Sequence, residues 1–254
     1  MERKIALVSG VSRLKGIGRA ICIELAKNNF DIFFSYWTPY DLERPWKIEA
    51  NEPLMIQEEI LRHGVRCQQL ELDLSEKNSY TYLFDEVESK LGHPHVLINN
   101  ATYSTSTNIE NITVEEFDKY YNVNIRATTL LTIEFIKRFK FKEDGRIINL
   151  SSGQTLGPMP EEIAYAITKG AIETLTTTLS SEIASKGITI NSVNPGPNDT
   201  GWMNEKMKEE LQKQFPMNRI GTPQDTANLI GFLVSKKAEW ITGQIMHSEG
   251  GFKR

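Results

Sequence analysis

The sequence predicts an α/β fold: a doubly wound parallel sheet of about seven strands, with helices on both faces. Short apolar segments of strand length alternate with longer segments of helical period along the 254 residues. Parallel strands require crossover helices, so this alternation favours parallel pairing. Because no linker, repeat or low-complexity segment interrupts the alternation, we expect one domain spanning residues 1–254.

The first elements are a strand, a turn and a helix. Residues 5–9 are an apolar run typical of a strand buried on both faces, and residues 19–28 are a predicted helix with apolar positions toward the sheet. The turn between them contains Gly10, Gly16 and Gly18. Glycines let the backbone approach an anion, and a helix N-terminus offers unpaired N–H groups. This layout predicts a site for the pyrophosphate of a dinucleotide.

The later elements continue the alternation. Further strands are predicted at residues 30–36, 65–72, 95–99, 145–151, 188–193 and 244–248. Further helices are predicted at residues 52–62, 79–91, 114–139, 164–186, 203–214 and 223–235. Residues 38–51 are a long polar connection, which is either a functional loop or a mobile insertion.

Composition argues against several classes of protein. The net charge is −4, with acidic and basic residues interspersed, so nucleic acid is not an expected partner. No segment approaches the roughly 20 apolar residues that span a bilayer, so we expect no membrane association. Cys22 and Cys67 have neither metal-ligand nor redox-motif spacing and are predicted to be small core residues. We expect a soluble cytoplasmic protein without a metal site.

Tyr165 and Lys169 are the candidate chemical pair. They lie one helical turn apart, so the phenol and the ammonium project from the same face. A tyrosine that exchanges protons near pH 7 needs its pKa lowered by roughly 3 units, or about 4 kcal/mol. One cation about 4 Å away, at an effective dielectric of about 20, contributes roughly that amount. Ser152, at the end of a predicted strand, can donate to the oxygen on which charge develops. The Tyr–Lys spacing alone is common by chance, so the assignment depends on the rest of the chain.

Further motifs support the assignment. In chain order they are residues 10–18, Asp73, residues 99–101, 122–124, 149–152, 165–169, 194–196, 242–244 and 249–251. This ordered set resembles the classical, short single-domain form of the short-chain dehydrogenase/reductase family. The similarity covers essentially the whole chain and extends to members labelled 3-oxoacyl-carrier-protein reductase. It implies a Rossmann-type fold and hydride transfer between a nicotinamide and a carbonyl or secondary alcohol.

The resemblance also implies roles for individual residues. Tyr165 would be the general acid or base, and Lys169 would lower its pKa and bind the nicotinamide ribose. Ser152 would hold the substrate oxygen, and Asn124 would keep a water in a proton relay. Asp73 would make a hydrogen bond with the adenine of the cofactor. The cofactor-binding set is Gly10, Arg13, Gly16, Ile17, Gly18, Tyr36, Asp73, Leu74, Asn100, Ala101, Tyr165, Lys169, Pro195, Gly196, Asn198 and Thr200.

Three positions depart from the family pattern. Five residues separate Gly10 from Gly16 where the family usually has three, as though residues 14–15 were inserted, so the phosphate loop is expected to bulge. Thr102 stands where a glycine usually follows Asn-Asn-Ala, and Glu249 replaces the usual aspartate before the last glycines.

The end of the second strand bears on the choice of cofactor. NAD-selective proteins usually place an acid there for the ribose 2′-hydroxyl, whereas this chain has Tyr36 and no acid until Asp41. Arg13 and Lys15 lie in the glycine turn, where similar NADP-dependent proteins carry a basic residue. We therefore predict a preference for NADP(H). In the alternative, Arg13 and Lys15 are solvated loop charges and Asp41 folds back to serve NAD(H).

The partner expected from the resemblance is a small-molecule carbonyl or alcohol whose identity the sequence does not reveal. Specificity is expected in residues 153–163 and in the lid-like stretch 201–216. A catalytically quiet NAD(P)-binding sensor or scaffold is the alternative function, although the chain keeps both Tyr165 and Lys169. The helices around residues 124–139 and 172–183 are apolar over more of their surface than one sheet face requires, and in similar proteins these helices pair across two-fold axes. We therefore predict a homotetramer, with a dimer as second choice.

Overall fold

The computed structural model contains a seven-stranded parallel sheet with strand order β3-β2-β1-β4-β5-β6-β7. It describes residues 3–44, 46 and 48–254, so Met1, Glu2, Pro45 and Lys47 lie outside the described residues. The fold class predicted from the sequence is confirmed. The strands are β1 Ile5–Val8, β2 Asp31–Tyr36, β3 Cys67–Glu71, β4 Val96–Asn99, β5 Gly145–Leu150, β6 Ile188–Asn194 and β7 Ile245–His247.

The helices cross between the strands and cover both faces of the sheet. They are α1 Ile17–Lys27, α2 Thr38–Leu42, α3 Glu52–Leu61, α4 Ser79–Lys90, α5 Val114–Tyr120, α6 Thr128–Arg138, α7 Ile163–Ala184, α8 Glu205–Gln212 and α9 Pro223–Leu233. A π-helical segment, Tyr121–Ala127, joins α5 to α6, and a 3-10 turn, Lys236–Ala238, lies between α9 and β7.

The core has two halves because successive side chains of a strand point to opposite faces. In β1, Ala6 and Val8 pack with α1, α3 and α9, whereas Ile5 and Leu7 pack with α4, α6 and α7. The central strands are buried on both faces, which explains their nearly continuous apolar sequence. Cys22 is in the first half and fully buried, as predicted for a core residue.

The connection at residues 38–51, predicted to be either a functional loop or a mobile insertion, contains a short helix. It begins with helix α2, which has a proline in its first turn, and Asp41 within it is only 6 % exposed. Tyr40 ties this helix to the segment after β4, because its hydroxyl donates to the Ser104 carbonyl at 3.0 Å. Over its described residues, the connection is therefore packed against the body of the protein.

The carboxyl ends of the parallel strands meet at one edge of the sheet. β1 lies between β2 and β4, so the chain runs outward in opposite directions on the two sides of the β1–β4 pair. Ligands of open α/β sheets bind at this reversal point. Within the described residues, no helix combines the length and apolar character required to cross a membrane.

Candidate active site

A cavity of about 1150 Å³ lies at this edge of the sheet. Most of the predicted site residues line it: Gly10, Arg13, Gly16, Ile17, Gly18, Tyr36, Asp73, Leu74, Asn100, Ala101, Ser152, Tyr165, Gly196 and Thr200. The others, Asn124, Lys169, Pro195 and Asn198, do not line the cavity. No cluster of potential metal ligands occurs in the part of the chain that the structure describes.

The glycine turn packs directly on the end of β4. Gly10 has a φ of +74°, and a Cβ there would lie 2.5 Å from Ala101 Cα, so only glycine fits. A Cβ on Gly18 would lie 2.8 Å from Asn100 Nδ2. Asn100 Nδ2 donates to the carbonyls of Ser9 and Gly10, both at 2.9 Å, which joins the turn to β4.

The N-terminus of α1 faces this turn without a side-chain cap. Gly16 occupies the N-cap position and provides no hydrogen bond to the first N–H groups of the helix. Unpaired N–H groups at a helix N-terminus favour an anion. The residues present therefore fit the pyrophosphate of a dinucleotide.

The two extra residues of the turn are anchored. The Leu14 backbone N–H donates to Glu52 Oε2 at 2.6 Å, and Glu52 Oε1 accepts from the Glu49 N–H at 3.2 Å. The Lys15 side chain packs against Gly201, because a Cβ on that glycine would lie 3.2 Å from Lys15 Cδ. The inserted residues thus contact α3 on one side and the segment after β6 on the other.

Arg13 is held by three neighbours. Its Nε lies 3.4 Å from Asp41 Oδ1, and its guanidinium carbon lies 4.6 Å from the centre of the Trp46 ring. One guanidinium nitrogen donates to the Thr200 carbonyl at 3.2 Å. Asp41 Oδ1 also accepts from Trp46 Nε1 at 3.0 Å. The alternative in which Arg13 is a solvated loop charge is therefore wrong, whereas Lys15 is exposed as that alternative supposed.

Tyr165, Lys169 and Ser152 come together as the sequence predicted. α7 carries Tyr165 and Lys169, and the Lys169 ammonium lies 5.3 Å from the centre of the Tyr165 ring. Lys169 is 4 % exposed and donates to the Leu150 carbonyl at 2.8 Å. Ser152 follows β5 and makes a hydrogen bond with the Tyr165 side chain.

The electrostatics of the pair differ from the expectation. Burial raises the pKa of Tyr165, and the charge of Glu162 raises it further, while the hydrogen bond with Ser152 lowers it. Burial lowers the pKa of Lys169 to about 8. In the protein without a bound cofactor, the pKa of Tyr165 is therefore raised overall, opposite to the net lowering that the sequence predicted. The reason is that burial disfavours the charged forms of both groups.

Asn124 lies within the π-helical segment, and its side-chain amide makes hydrogen bonds with other groups of the protein. Its Oδ1 accepts from the Tyr103 N–H at 2.7 Å, and its Nδ2 donates to the Tyr103 carbonyl at 2.9 Å and to Thr168 Oγ1 at 3.0 Å. Thr102, the departure noted in the sequence, donates to the same Oδ1 at 3.3 Å. Asn124 therefore joins the segment after β4 to α7, and a relay water would have to use its backbone rather than its amide.

The segment after β6 is also bonded internally. Asn198 Nδ2 donates to the Pro195 carbonyl at 2.7 Å, and Asn198 is 4 % exposed. Asn198, which belongs to the predicted cofactor-binding set, therefore has its Nδ2 engaged, whereas its buried Oδ1 has no hydrogen-bond partner among the described residues. Thr200 lines the cavity, as does Gly196, where a Cβ would lie 2.9 Å from Glu249 Cγ.

Two lining residues, Glu162 and Arg254, were not singled out from the sequence. Glu162 could have been noticed from its position three residues before Tyr165. Arg254 forms a bidentate ion pair with Glu249, and the same carboxylate accepts from Asn194 Nδ2 at 2.8 Å. The position of Arg254 depends on the fold of the whole chain, so no local signal identifies it.

The fold and cavity define a dinucleotide-binding α/β protein, and comparisons give its class. Residues 10–253 match the family model described as enoyl-(acyl carrier protein) reductase. The chain is 48 % identical over 255 residues to the uncharacterized oxidoreductase YjdA of Bacillus subtilis, covering 100 % of this chain and 98 % of that protein.

Solved structures agree with this family. A short-chain dehydrogenase/reductase from Serratia marcescens is similar with a TM-score of 0.87 at 25 % identity, over 100 % of this chain and 99 % of that chain. The angucycline C-6 ketoreductase LanV, solved with bound NADP, is similar with a TM-score of 0.86 at 30 % identity, over 98 % and 95 % of the chains. This chain belongs to the short-chain dehydrogenase/reductase family and is an oxidoreductase.

Proposed function

We propose that the protein is an NADP(H)-dependent enzyme that interconverts a small carbonyl compound and its secondary alcohol, with Tyr165 as the general acid or base. The main observation in support of this proposal is that Ser152 and Tyr165 line the same cavity as the glycine turn. Lys169 lies beside them with its ammonium 5.3 Å from the phenol ring centre. A proton donor and a dinucleotide cradle in one cavity are what hydride transfer to a carbonyl requires.

Different residues of the chain would bind the cofactor, orient the substrate and transfer the proton. The glycine turn and the first turn of α1 would hold the pyrophosphate, and Asp73 and Ala101 would border the remainder of the cofactor. When bound, the nicotinamide supplies or accepts the hydride. The Ser152 hydroxyl would orient the substrate oxygen, and the Tyr165 hydroxyl would give that oxygen its proton during reduction.

The proton transfer has a defined electrostatic requirement. For alcohol oxidation Tyr165 must lose its proton, which burial of the phenol opposes. The hydrogen bond with Ser152 acts in the favourable direction, and the ammonium of Lys169 would favour the phenolate. The protein alone therefore favours the protonated phenol, which is the form that reduction of a carbonyl uses.

The preference for NADP(H) rests on Arg13 and Asp41. The first acid after β2 is Asp41, and its carboxylate already faces Arg13 and Trp46. That carboxylate is poorly available to a ribose 2′-hydroxyl. The same ion pair holds the Arg13 guanidinium beside the glycine turn, where the N–H groups that Asp41 and Thr200 do not use could meet a phosphate in a charge-assisted hydrogen bond. LanV, the similar ketoreductase, was solved with NADP. NAD(H) would be used more weakly.

The experiment is a panel of ketones and secondary alcohols assayed with each cofactor at the nicotinamide absorbance. We expect reduction with NADPH to exceed reduction with NADH, and Tyr165→Phe to abolish most turnover while retaining NADPH binding. Binding of NADPH without turnover of any carbonyl or alcohol would contradict the proposed reaction. Tighter binding of NADH than of NADPH in a fluorescence titration would contradict the cofactor preference.

A further inference from the structure

Glu162 is a carboxyl group at the catalytic end of the cavity with no role in the steps above. It occupies the N-cap position of α7, three residues before Tyr165, and lines the cavity. Positions three apart lie on the same side of a helical turn. The charge of Glu162 acts on the phenol, because after burial it is the next largest cause raising the pKa of Tyr165.

The Glu162 carboxyl has no hydrogen-bond or ion-pair partner among residues 3–44, 46 and 48–254. Two other glutamates that line the cavity, Glu161 and Glu249, have hydrogen-bond partners. Glu161 accepts from Asn108 Nδ2 at 2.8 Å, and Glu249 accepts from Asn194 Nδ2 at 2.8 Å. Glu162 therefore differs from these neighbours in having its acceptor oxygens free.

Two hydrogen bonds fix the backbone of Glu162. The Glu162 N–H donates to the Met159 carbonyl at 3.1 Å, and the Glu162 carbonyl accepts from the Ala166 N–H at 2.8 Å. Burial raises the pKa of Glu162, which reflects the cost of keeping an unpaired carboxylate out of water. A ligand that donates a hydrogen bond to this carboxylate would remove that cost.

We propose that Glu162 determines substrate specificity by accepting a hydrogen bond from a hydroxyl or ammonium group next to the reacting carbonyl. The inference rests on the proposed function, because it requires a carbonyl held between Ser152 and Tyr165. The corresponding substrates are α-hydroxy or α-amino ketones, and in the reverse direction vicinal diols or amino alcohols. A carbonyl compound that lacks the donor leaves the carboxylate unpaired and desolvated.

The test compares four ketones that share one skeleton: acetophenone and its α-hydroxy, α-methoxy and α-amino derivatives, in which the substituent is on the methyl carbon next to the carbonyl. Each is reduced with NADPH by the wild type, Glu162→Gln and Glu162→Met, with Glu182→Gln, an exposed position of the same helix, as the matched control. We expect the wild type and the control to favour the hydroxy or amino ketone over the methoxy ketone by about 10-fold or more in kcat/KM.

The two Glu162 variants should distinguish a hydroxyl donor of the substrate from an ammonium donor. Glu162→Met should lose the preference for both, whereas Glu162→Gln should keep part of it for the hydroxyl and lose it for the ammonium. Equal kcat/KM for the four ketones in the wild type would overturn the inference and leave the proposed function standing. If NADPH reduces none of them or any other carbonyl, both fail. Should Glu162→Met not bind NADPH, the wild type and Glu162→Gln still decide the outcome.

Discussion

Lys169 Nζ donates a 2.8 Å hydrogen bond to the carbonyl of Leu150, the last residue of β5. This bond fixes the ammonium at the end of a central strand, where Lys169 is only 4 % exposed. Burial lowers the pKa of Lys169 to about 8, so the free protein should lose this charge as the pH rises through that value.

Isotope-edited NMR of lysine side chains measures this directly. We expect the Lys169 ammonium to titrate near pH 8, well below the ordinary pKa of a lysine side chain, about 10.4. An ordinary pKa for Lys169 would mean that its environment is more hydrated than its 4 % exposure indicates.

Replacement of Tyr165 tests the proposed acid or base. Tyr165→Phe keeps the ring and removes the proton donor, so turnover should fall by on the order of 10² to 10⁴ with cofactor affinity little changed. Tyr121→Phe, at an exposed tyrosine, is the control and should retain full activity. Retention of wild-type turnover by Tyr165→Phe would assign the proton transfer to another group.

The pH profile of alcohol oxidation should respond to Glu162. Oxidation needs the phenolate, so its rate rises with pH through the pKa of Tyr165. Burial and then Glu162 raise that pKa, and removing the negative charge in Glu162→Gln should lower it. The rising limb should therefore move to lower pH. An unmoved limb would show that Glu162 is uncharged in the working enzyme. The other groups acting on the phenol are Ser152, Lys169, Tyr40 and Tyr120.

Arg13 carries the predicted cofactor preference. Arg13→Ala removes the guanidinium that would meet a 2′-phosphate, at a cost of roughly 1.5 to 3 kcal/mol, or about 10- to 150-fold in NADPH affinity. NADH affinity should change much less. Lys15→Ala, at the exposed position of the same turn, is the control. Equal losses for both cofactors in Arg13→Ala would instead indicate a contact with the shared pyrophosphate.

Light scattering tests the predicted homotetramer. Among the described residues of α5, α6 and α7, large exposed apolar side chains lie on α5 and at the start of α7, as at Val114 with 72 % and Ile167 with 52 % exposure, rather than within residues 124–139 and 172–183. Association would remove this surface from water. We expect a mass of about four times 28.9 kDa at micromolar concentration, with a dimer as second choice. A mass of 28.9 kDa would contradict the prediction.

The sequence predicted the parts of the site that depend on local spacing. Gly10 and Gly18 belong to a turn whose strand and helix follow from the hydrophobic pattern, and Tyr165 and Lys169 belong to one helical turn. These relations need no knowledge of distant segments. Helix and strand boundaries shifted by only a few residues for the same reason.

The parts that the sequence did not predict depend on contacts between distant segments. Arg13 meets Asp41 and Thr200 only because the fold brings three strand ends together. The amide of Asn124 bonds to Tyr103, which hydrophobic periodicity cannot indicate. The raised pKa of Tyr165 results from burial, which is a property of the complete packing.

The hydrogen bond between the Leu14 N–H and Glu52 bears on how this protein can be engineered. Deleting residues 14–15 to restore the usual turn length would leave Glu52 Oε2 without the donor that it now has at 2.6 Å. Transplanting the turn into a relative with another residue at the matching place would leave the Leu14 N–H unpaired. The turn and the start of α3 therefore form one exchangeable module, and a chimera has to inherit both pieces together.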